Sequence, residues 1–200
     1  MSHQLESESP SSQQIIRDSI QTKIAKGKEL KELGNAAYKA AAADKTALTT
    51  ALRKYHEAVN YFSGLDNAQF NSMVPGKSDT AALSEAEKAD IDVNLIACYN
   101  NMAACLVKLE RWDRVVANTN QVLKKFPENT KALFRRGQAY LNLNDLAKAE
   151  ADLTKANALA PNDSGIKTEL AKLKKRNSEY EKKQKKEWAG LFDRMAASHE

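Results

Sequence analysis

The sequence predicts an all-α protein assembled from stacked helix hairpins, and three observations predict it. The composition favours helix: 42% of residues are hydrophobic but only 6% aromatic, with seven Gly and four Pro in 200 residues, and the good helix formers Ala, Leu, Lys and Glu dominate. Apolar residues recur at spacings of three and four along most of the chain, the period of one helix face. The chain also repeats itself. With Pro127 aligned on Pro161, 34 residues later, Trp112 falls on Leu146, Val115 on Ala149, Thr119 on Leu153 and Val122 on Ala156. Upstream, Asn101 falls on Arg135 and Ala103 on Gly137. A period of this length marks a supersecondary unit that buries its apolar face by stacking on a neighbour. Each unit reads as a helix hairpin in which small residues let the helices approach and Pro stops the second.

The elements follow in order. Residues 1–12, "MSHQLESESPSS", are polar and Ser-rich and read as a disordered tail. Helical periodicity begins at Gln13, with Ile16, Ile20, Ile24, Leu30, Leu33 and Ala37 on one stripe. "ELKELGNAAYK" supplies the first helix of the first repeat, with Gly34 as its small residue, and "ALRKYHEAVNYF" the second, with Ala51 and Ala58. About five extra residues near "AAADKTALTT" lengthen this repeat as helix or turn. A long turn-rich connection covers residues 63–83, a surface loop. The helix restarts at "SEAE", a capping-box pattern, and runs from about Ser84 to Leu109. Repeats two and three end at Pro127 and Pro161. Beyond Pro161 a helix from "NDSGIKTELAKLKKR" is expected to cap the last repeat through Ile166, Leu170 and Leu173, because a stack cannot leave its terminal apolar face bare. The expected organisation is a tail at 1–12, three repeats at 13–161 and a capping extension at 162–200.

Several function classes drop out. The net charge of +5 is concentrated near the C-terminus in "KLKKRNSEYEKKQKKE", interleaved with Glu as on a solvated helix face. Stacking platforms for single-stranded nucleic acid are missing, so nucleic acid is not an expected partner. No apolar run is long enough to span a bilayer, and no secretory signal opens the chain. Cys98 and Cys105 are seven apart in a helical pattern, on one face but too far apart for a disulfide. They read as small core residues in a reducing compartment, so a cytoplasmic protein is expected. His3, His56 and His199 are scattered. With no Cys–His pair, metal-spaced cluster or Gly-rich phosphate loop, no catalytic residue, metal or cofactor is expected.

The 34-residue period, the small residues at the helix crossing and the closing Pro resemble the tetratricopeptide repeat (TPR). That resemblance implies a right-handed superhelical solenoid whose concave groove is lined by the first helix of each repeat. Asn101 and Arg135 hold the same register position in repeats two and three. Lys131 lies one turn before Arg135, and Lys31 one turn before Asn35 in the first repeat. Like charges at i,i+4 do not help a helix, so the pairing of Lys131 with Arg135 asks for another reason. Arg136, one residue on, turns away and reads as ordinary. Phe134 reads as core, and Asn100 faces elsewhere than Asn101. Lys31, Asn35, Asn101, Lys131 and Arg135 together would present three cations and two amides to one concavity. A double carboxylate suits them, each cation giving a charge-assisted hydrogen bond of roughly 1.5–3 kcal/mol.

These five residues, in "LKELGN", "YNNMAACLVKL" and "TKALFRRGQAY", resemble the carboxylate clamp of TPR co-chaperones. The resemblance implies that they hold the C-terminal Glu-Glu-Val-Asp (EEVD) peptide of the cytosolic heat-shock chaperones of the 90 and 70 kilodalton classes. Within the family, "ALFRRGQAYL", the long loop and "KKEWAGLFDRM" are similar to the C-terminal TPR domain of FK506-binding immunophilins, and "CYNNMAACL" to the small tetratricopeptide repeat protein 9 group. The isomerase activity of the immunophilins is not expected, because nothing before Gln13 could encode their β-rich catalytic domain. Trp188, Leu191, Phe192 and Met195 form an amphipathic stripe after a basic run. They are candidate anchors for packing, self-association or, as in the immunophilins, calmodulin, and a regulatory scaffold working through this helix is the alternative reading.

Overall fold

The computed structural model describes residues 12–41, 45–65 and 83–197. The expected N-terminal tail, apart from Ser12, and most of the long connection lie outside the described residues. Among those described there are seven α-helices and no strand: α1 (Ser12–Ala40), α2 (Thr46–Ser63), α3 (Glu85–Lys108), α4 (Trp112–Lys125), α5 (Thr130–Asn142), α6 (Leu146–Leu159) and α7 (Ser164–Ala197). The chain divides into two compact units, Met1–Cys105 and Leu106–Glu200.

In the first unit α1 packs against α2, and the small residues of α1 explain how closely. A Cβ built at Gly34 would lie 2.6 Å from Cε1 of Tyr55, and one at Gly27 would lie 2.7 Å from Cε1 of Phe62. Both rings are fully buried, with Ala51 and Ala58 beside them in sequence on α2. From α3 the unit buries Ile91, Cys98, Met102, Ala103 and Cys105. The two cysteines are free and buried, and burial pushes the Cys98 thiol up to about 12. The start of α3 is the capping box that the sequence predicts. Ser84 N donates to Glu87 Oε2 at 2.8 Å and Glu87 N donates back to Ser84 Oγ at 3.2 Å. Glu87 also receives Gln21 Nε2 of α1 at 2.6 Å, so the cap ties α3 to α1.

In the second unit the 34-residue period is written into the backbone. Among the described residues, Glu110 and Asn144 are the two non-glycine residues with positive φ, at 55° and 63°, each following a first helix. Around them the hydrogen bonds repeat: Arg111 N to Leu106 O and Asp145 N to Tyr140 O are both 2.9 Å. These six-to-one bonds are the left-handed C-terminal cap of a helix, and they turn the chain into α4 and α6. The caps that start the following helices are side chains. Asn129 Oδ1 accepts from Ala132 N at 3.0 Å, Asp145 Oδ1 from Lys148 N at 3.3 Å and Asp163 Oδ1 from Ile166 N at 3.1 Å. A Cβ at Gly137 would lie 2.7 Å from Cγ of Leu153, so glycine sets the α5–α6 approach. Leu141, Ala149, Leu153 and Leu173 form one cluster of the core, with Phe134, Tyr140, Leu146 and Leu170 against it. Leu170 and Leu173 of α7 therefore cover the α5–α6 hairpin, and Ile166 is buried as well. Phe134, expected in the core, is half-buried and packs against this cluster. At 1.5 Å per residue the 34 residues of α7 extend about 50 Å.

Candidate functional site

The candidate residues fall in both units, and each unit assembles its own group. In the first, α1 carries Lys31 and Asn35 one turn apart and α3 carries Asn101. Asn101 Nδ2 donates to Asn35 Oδ1 at 2.9 Å across 66 residues of sequence. The same oxygen accepts the phenolic hydroxyl of Tyr55 at 2.8 Å. An amide oxygen has two acceptor sites, so these bonds fix the orientation of the Asn35 amide and turn its NH₂ outward. That NH₂ donates to Glu32 Oε2 at 3.0 Å, and the other oxygen of Glu32 lies 3.2 Å from Lys31 Nζ. Lys31 Nζ also donates to Asn94 Oδ1 at 2.9 Å. Asn94 is held in turn by its own Nδ2, which donates to the carbonyl of Asp90 at 2.8 Å.

A cavity of about 190 Å³ opens on this network, lined by Glu32, Asn35, Lys39, Tyr55 and Asn101 among others. Its electrostatics follow from the contacts. The bond from Asn35, with that from Lys31 next, holds the Glu32 carboxyl below the usual carboxylate range. Burial pushes the Tyr55 hydroxyl well above its ordinary value, so it stays protonated and donates. The recess thus combines oriented amides, a fixed phenol and the Lys39 ammonium beside one exposed carboxylate, which Lys31 also meets.

In the second unit Lys131 and Arg135 lie on one face of α5 a turn apart, Lys131 exposed and Arg135 half-buried. Arg135 Nη1 reaches the carbonyl of Lys131 at 3.5 Å. Gln138 and Asn142 continue that face by helical spacing and line a cavity of about 440 Å³ with Trp112, Glu169 and Arg176. Glu169, on α7, is buried and accepts from Gln138 at 3.1 Å and Lys172 at 2.8 Å. Arg136 does not behave as its sequence position suggests. It is turned off the α5 face that holds Arg135, but it grips buried Asp152 of α6 with two bonds of 2.6 and 2.7 Å and Asn120 of α4 with a third of 2.7 Å. It holds three helices together and is not an ordinary surface cation.

Asn94, Glu32, Lys39 and Tyr55 were absent from the candidate set. Asn94 sits seven residues before Asn101, on the same stripe of α3, and Glu32 is three residues before Asn35, a neighbour on the helix surface. Trp188 of the terminal stripe is 58% exposed on α7. Leu191, Phe192 and Met195 lie on the same helix, with side chains outside the described residues. Among the described residues no group of His, Cys, Asp and Glu could hold a metal ion, and no helix is long and apolar enough to cross a membrane.

Helix hairpins with a 34-residue backbone period and oriented polar side chains define a protein-interaction module. The tetratricopeptide repeat family matches residues 130–163, which is α5, α6 and the cap of α7. Tetratricopeptide repeat protein 9C of Xenopus tropicalis is 35% identical over 145 residues, covering 71% of this chain and 81% of that protein. The chain belongs to the tetratricopeptide repeat family. It is also 31% identical over 173 residues to the Arabidopsis thaliana peptidyl-prolyl cis-trans isomerase FKBP42, covering 86% of this chain but only 42% of that protein. Among solved structures, the C-terminal TPR-containing domain of a Plasmodium falciparum FK506-binding protein superposes with a TM-score of 0.66 at 25% identity, covering 84% of this chain and 99% of that one.

Proposed function

We propose that this chain is a cytoplasmic co-chaperone or adaptor that holds the C-terminal carboxylates of heat-shock chaperones of the 90 and 70 kilodalton classes, or of one of them, at their EEVD ending. Lys31, Asn35, Asn101, Lys131 and Arg135 are the residues assigned to that task. The observation that carries the reading is the Asn101–Asn35–Tyr55 cluster. It spends the acceptor capacity of Asn35 on protein donors, so what the amide offers outward is N–H, the group a carboxylate needs. Lys31 stands beside it, already engaged with a carboxylate. Catalysis has no part in the proposal.

The test is calorimetry on the full chain with a peptide ending in a free-acid EEVD and with the same peptide amidated. The free acid should bind in the micromolar range and weaken with salt. Lys131→Ala should weaken it roughly tenfold to a hundredfold, the loss of one charge-assisted bond. Equal affinity for acid and amide refutes the reading.

The exposure of Tyr180 and Trp188 on α7, at 53% and 58%, favours a second reading, in which the basic amphipathic end of that helix binds calmodulin or another partner. Deleting residues 182–200 would then abolish partner capture while Lys131→Ala would not. A calcium-dependent mobility shift with calmodulin is the direct check.

A further inference from the structure

The donors assigned to the incoming carboxylate in the first unit already hold one. Glu32 takes Asn35 Nδ2 on one oxygen at 3.0 Å and Lys31 Nζ on the other at 3.2 Å. It bridges the two α1 donors as a peptide carboxylate would. Its side chain is 66% exposed while that of Lys31 is 21% exposed, so the acid is the more accessible of the pair, and it is Glu32 that lines the recess. Lys31 has a second acceptor in Asn94 and Asn35 is oriented by Tyr55 and Asn101. Neither donor depends on Glu32 for its position.

We propose that Glu32 is a resident carboxylate occupying the ligand's place on Lys31 and Asn35, and that a C-terminal carboxylate binds by displacing it. The proposal rests on the carboxylate reading of this site and adds a residue that sets its affinity. A ligand must be acidic enough to replace an ionised group, which excludes neutral peptide ends and makes a single weak carboxylate a poor competitor. It also predicts the direction of an unusual mutation: removing a polar contact residue should improve binding. Two unit charges about 4 Å apart repel by ~1 kcal/mol even in water, so relieving that repulsion amounts to a gain of roughly fivefold.

The experiment titrates the 200-residue chain, wild type, Glu32→Gln and Glu32→Ala, with the free-acid and amidated EEVD peptides. Glu32→Gln should bind the free acid about fivefold more tightly and leave the amide unchanged. Glu32→Ala, which also removes the competing acceptor, should gain at least as much. A second readout is the side-chain amide signal of Asn35 in the NMR spectrum. It should shift in peptide-free Glu32→Ala and move less when peptide is added to wild type, where one carboxylate replaces another, than in the variant, where an unengaged donor becomes engaged. Unchanged or weakened binding of the free acid by both variants overturns the proposal, with the carboxylate site intact if wild type still prefers acid to amide. If wild type binds acid and amide equally, the carboxylate reading itself has failed and Glu32 has no competitor to exclude.

Discussion

Arg136 on α5 and Asp152 on α6 are joined by two nearly equal hydrogen bonds, Nε to Oδ2 at 2.6 Å and Nη2 to Oδ1 at 2.7 Å. This is the bidentate geometry that a planar guanidinium and a carboxylate share. The Asp152 side chain is only 8% exposed, so removing its partner strands a charge in a low-dielectric site. The bond to Asp152 also raises the pKa of the guanidinium. Arg136→Ala should therefore destabilise the second unit by about 3 kcal/mol, read as a lower urea midpoint. Arg136→Lys should recover only part, because an ammonium cannot form both bonds in that plane. The peptide affinity of variants that still fold should change little, since Arg136 faces α6 and Asn120 rather than the Lys131–Arg135 face.

The glycines at the helix crossings give a prediction with opposed contributions. Gly→Ala inside a helix gains about 1 kcal/mol from propensity. At Gly34 the new Cβ would lie 2.6 Å from the Tyr55 ring and at Gly137 2.7 Å from Leu153 Cγ. Overpacking of that kind costs about 1–3 kcal/mol, so both substitutions should lower stability. Gly190→Ala is the control: a Cβ there meets no described atom within 4 Å, and the propensity gain should show as a higher midpoint. A common gain at all three positions would mean that the helices are not packed as closely as described.

How much of this was legible in the sequence depends on the range of the interaction. The 34-residue period, the Ser84 capping box and the covering of the last hairpin by α7 are local or periodic, and the residues that make them are adjacent or regularly spaced. The place of Lys31 and Asn35 on one helix face follows from their spacing alone. Which groups hold them does not. The bond from Asn101 to Asn35 spans 66 residues and that from Lys31 to Asn94 spans 63, and neither leaves a pattern in one sequence. Arg136 was misread for the same reason: its spacing from Arg135 says where it does not point, and only the packing of α6 says what it meets. Glu32 is the reverse case. Its contacts are helix-local, with Lys31 just before it and Asn35 three residues after it, but an acid at that spacing reads the same whether it is solvated or bridges its neighbours.

The cap of α3 predicts a pH dependence. The backbone bond from Ser84, followed by that from its side chain, depresses the Glu87 carboxyl below its ordinary 4.5. A depressed folded-state value means stabilisation that is present above the unfolded value and lost as pH falls through the folded one. Between neutral pH and about 5 the start of α3 should be unchanged. Below the ordinary value of 4.5 the amide of Ser84 should lose hydrogen-exchange protection progressively. Glu87→Gln, which keeps an acceptor but no charge, should flatten that dependence. Because Gln21 and Arg17 of α1 also reach Glu87, the same titration should loosen the early part of α1. A Ser84 amide whose protection is flat down to pH 3 would contradict the cap geometry.

The paired left-handed residues supply the last prediction, because one backbone conformation is met by two different side chains. Glu110 and Asn144 have φ of 55° and 63° and close equivalent turns with equivalent bonds. A left-handed conformation costs an ordinary L-residue about 1–2 kcal/mol, while Asn tolerates it and Gly is free of it. Glu110→Gly should therefore stabilise the chain by up to about 1 kcal/mol, since the added flexibility of Gly in the unfolded chain takes back part of the relief. Asn144→Gly should give only a few tenths of a kcal/mol. Glu110→Asn should recover a good part of the gain from Glu110→Gly, because it copies into the second repeat the residue that the third repeat already uses. The measurement is the chemical denaturation midpoint of each variant at constant slope. If Glu110→Gly is neutral or destabilising while Asn144→Gly is not, the two turns do not share the backbone geometry that the 34-residue period gives them.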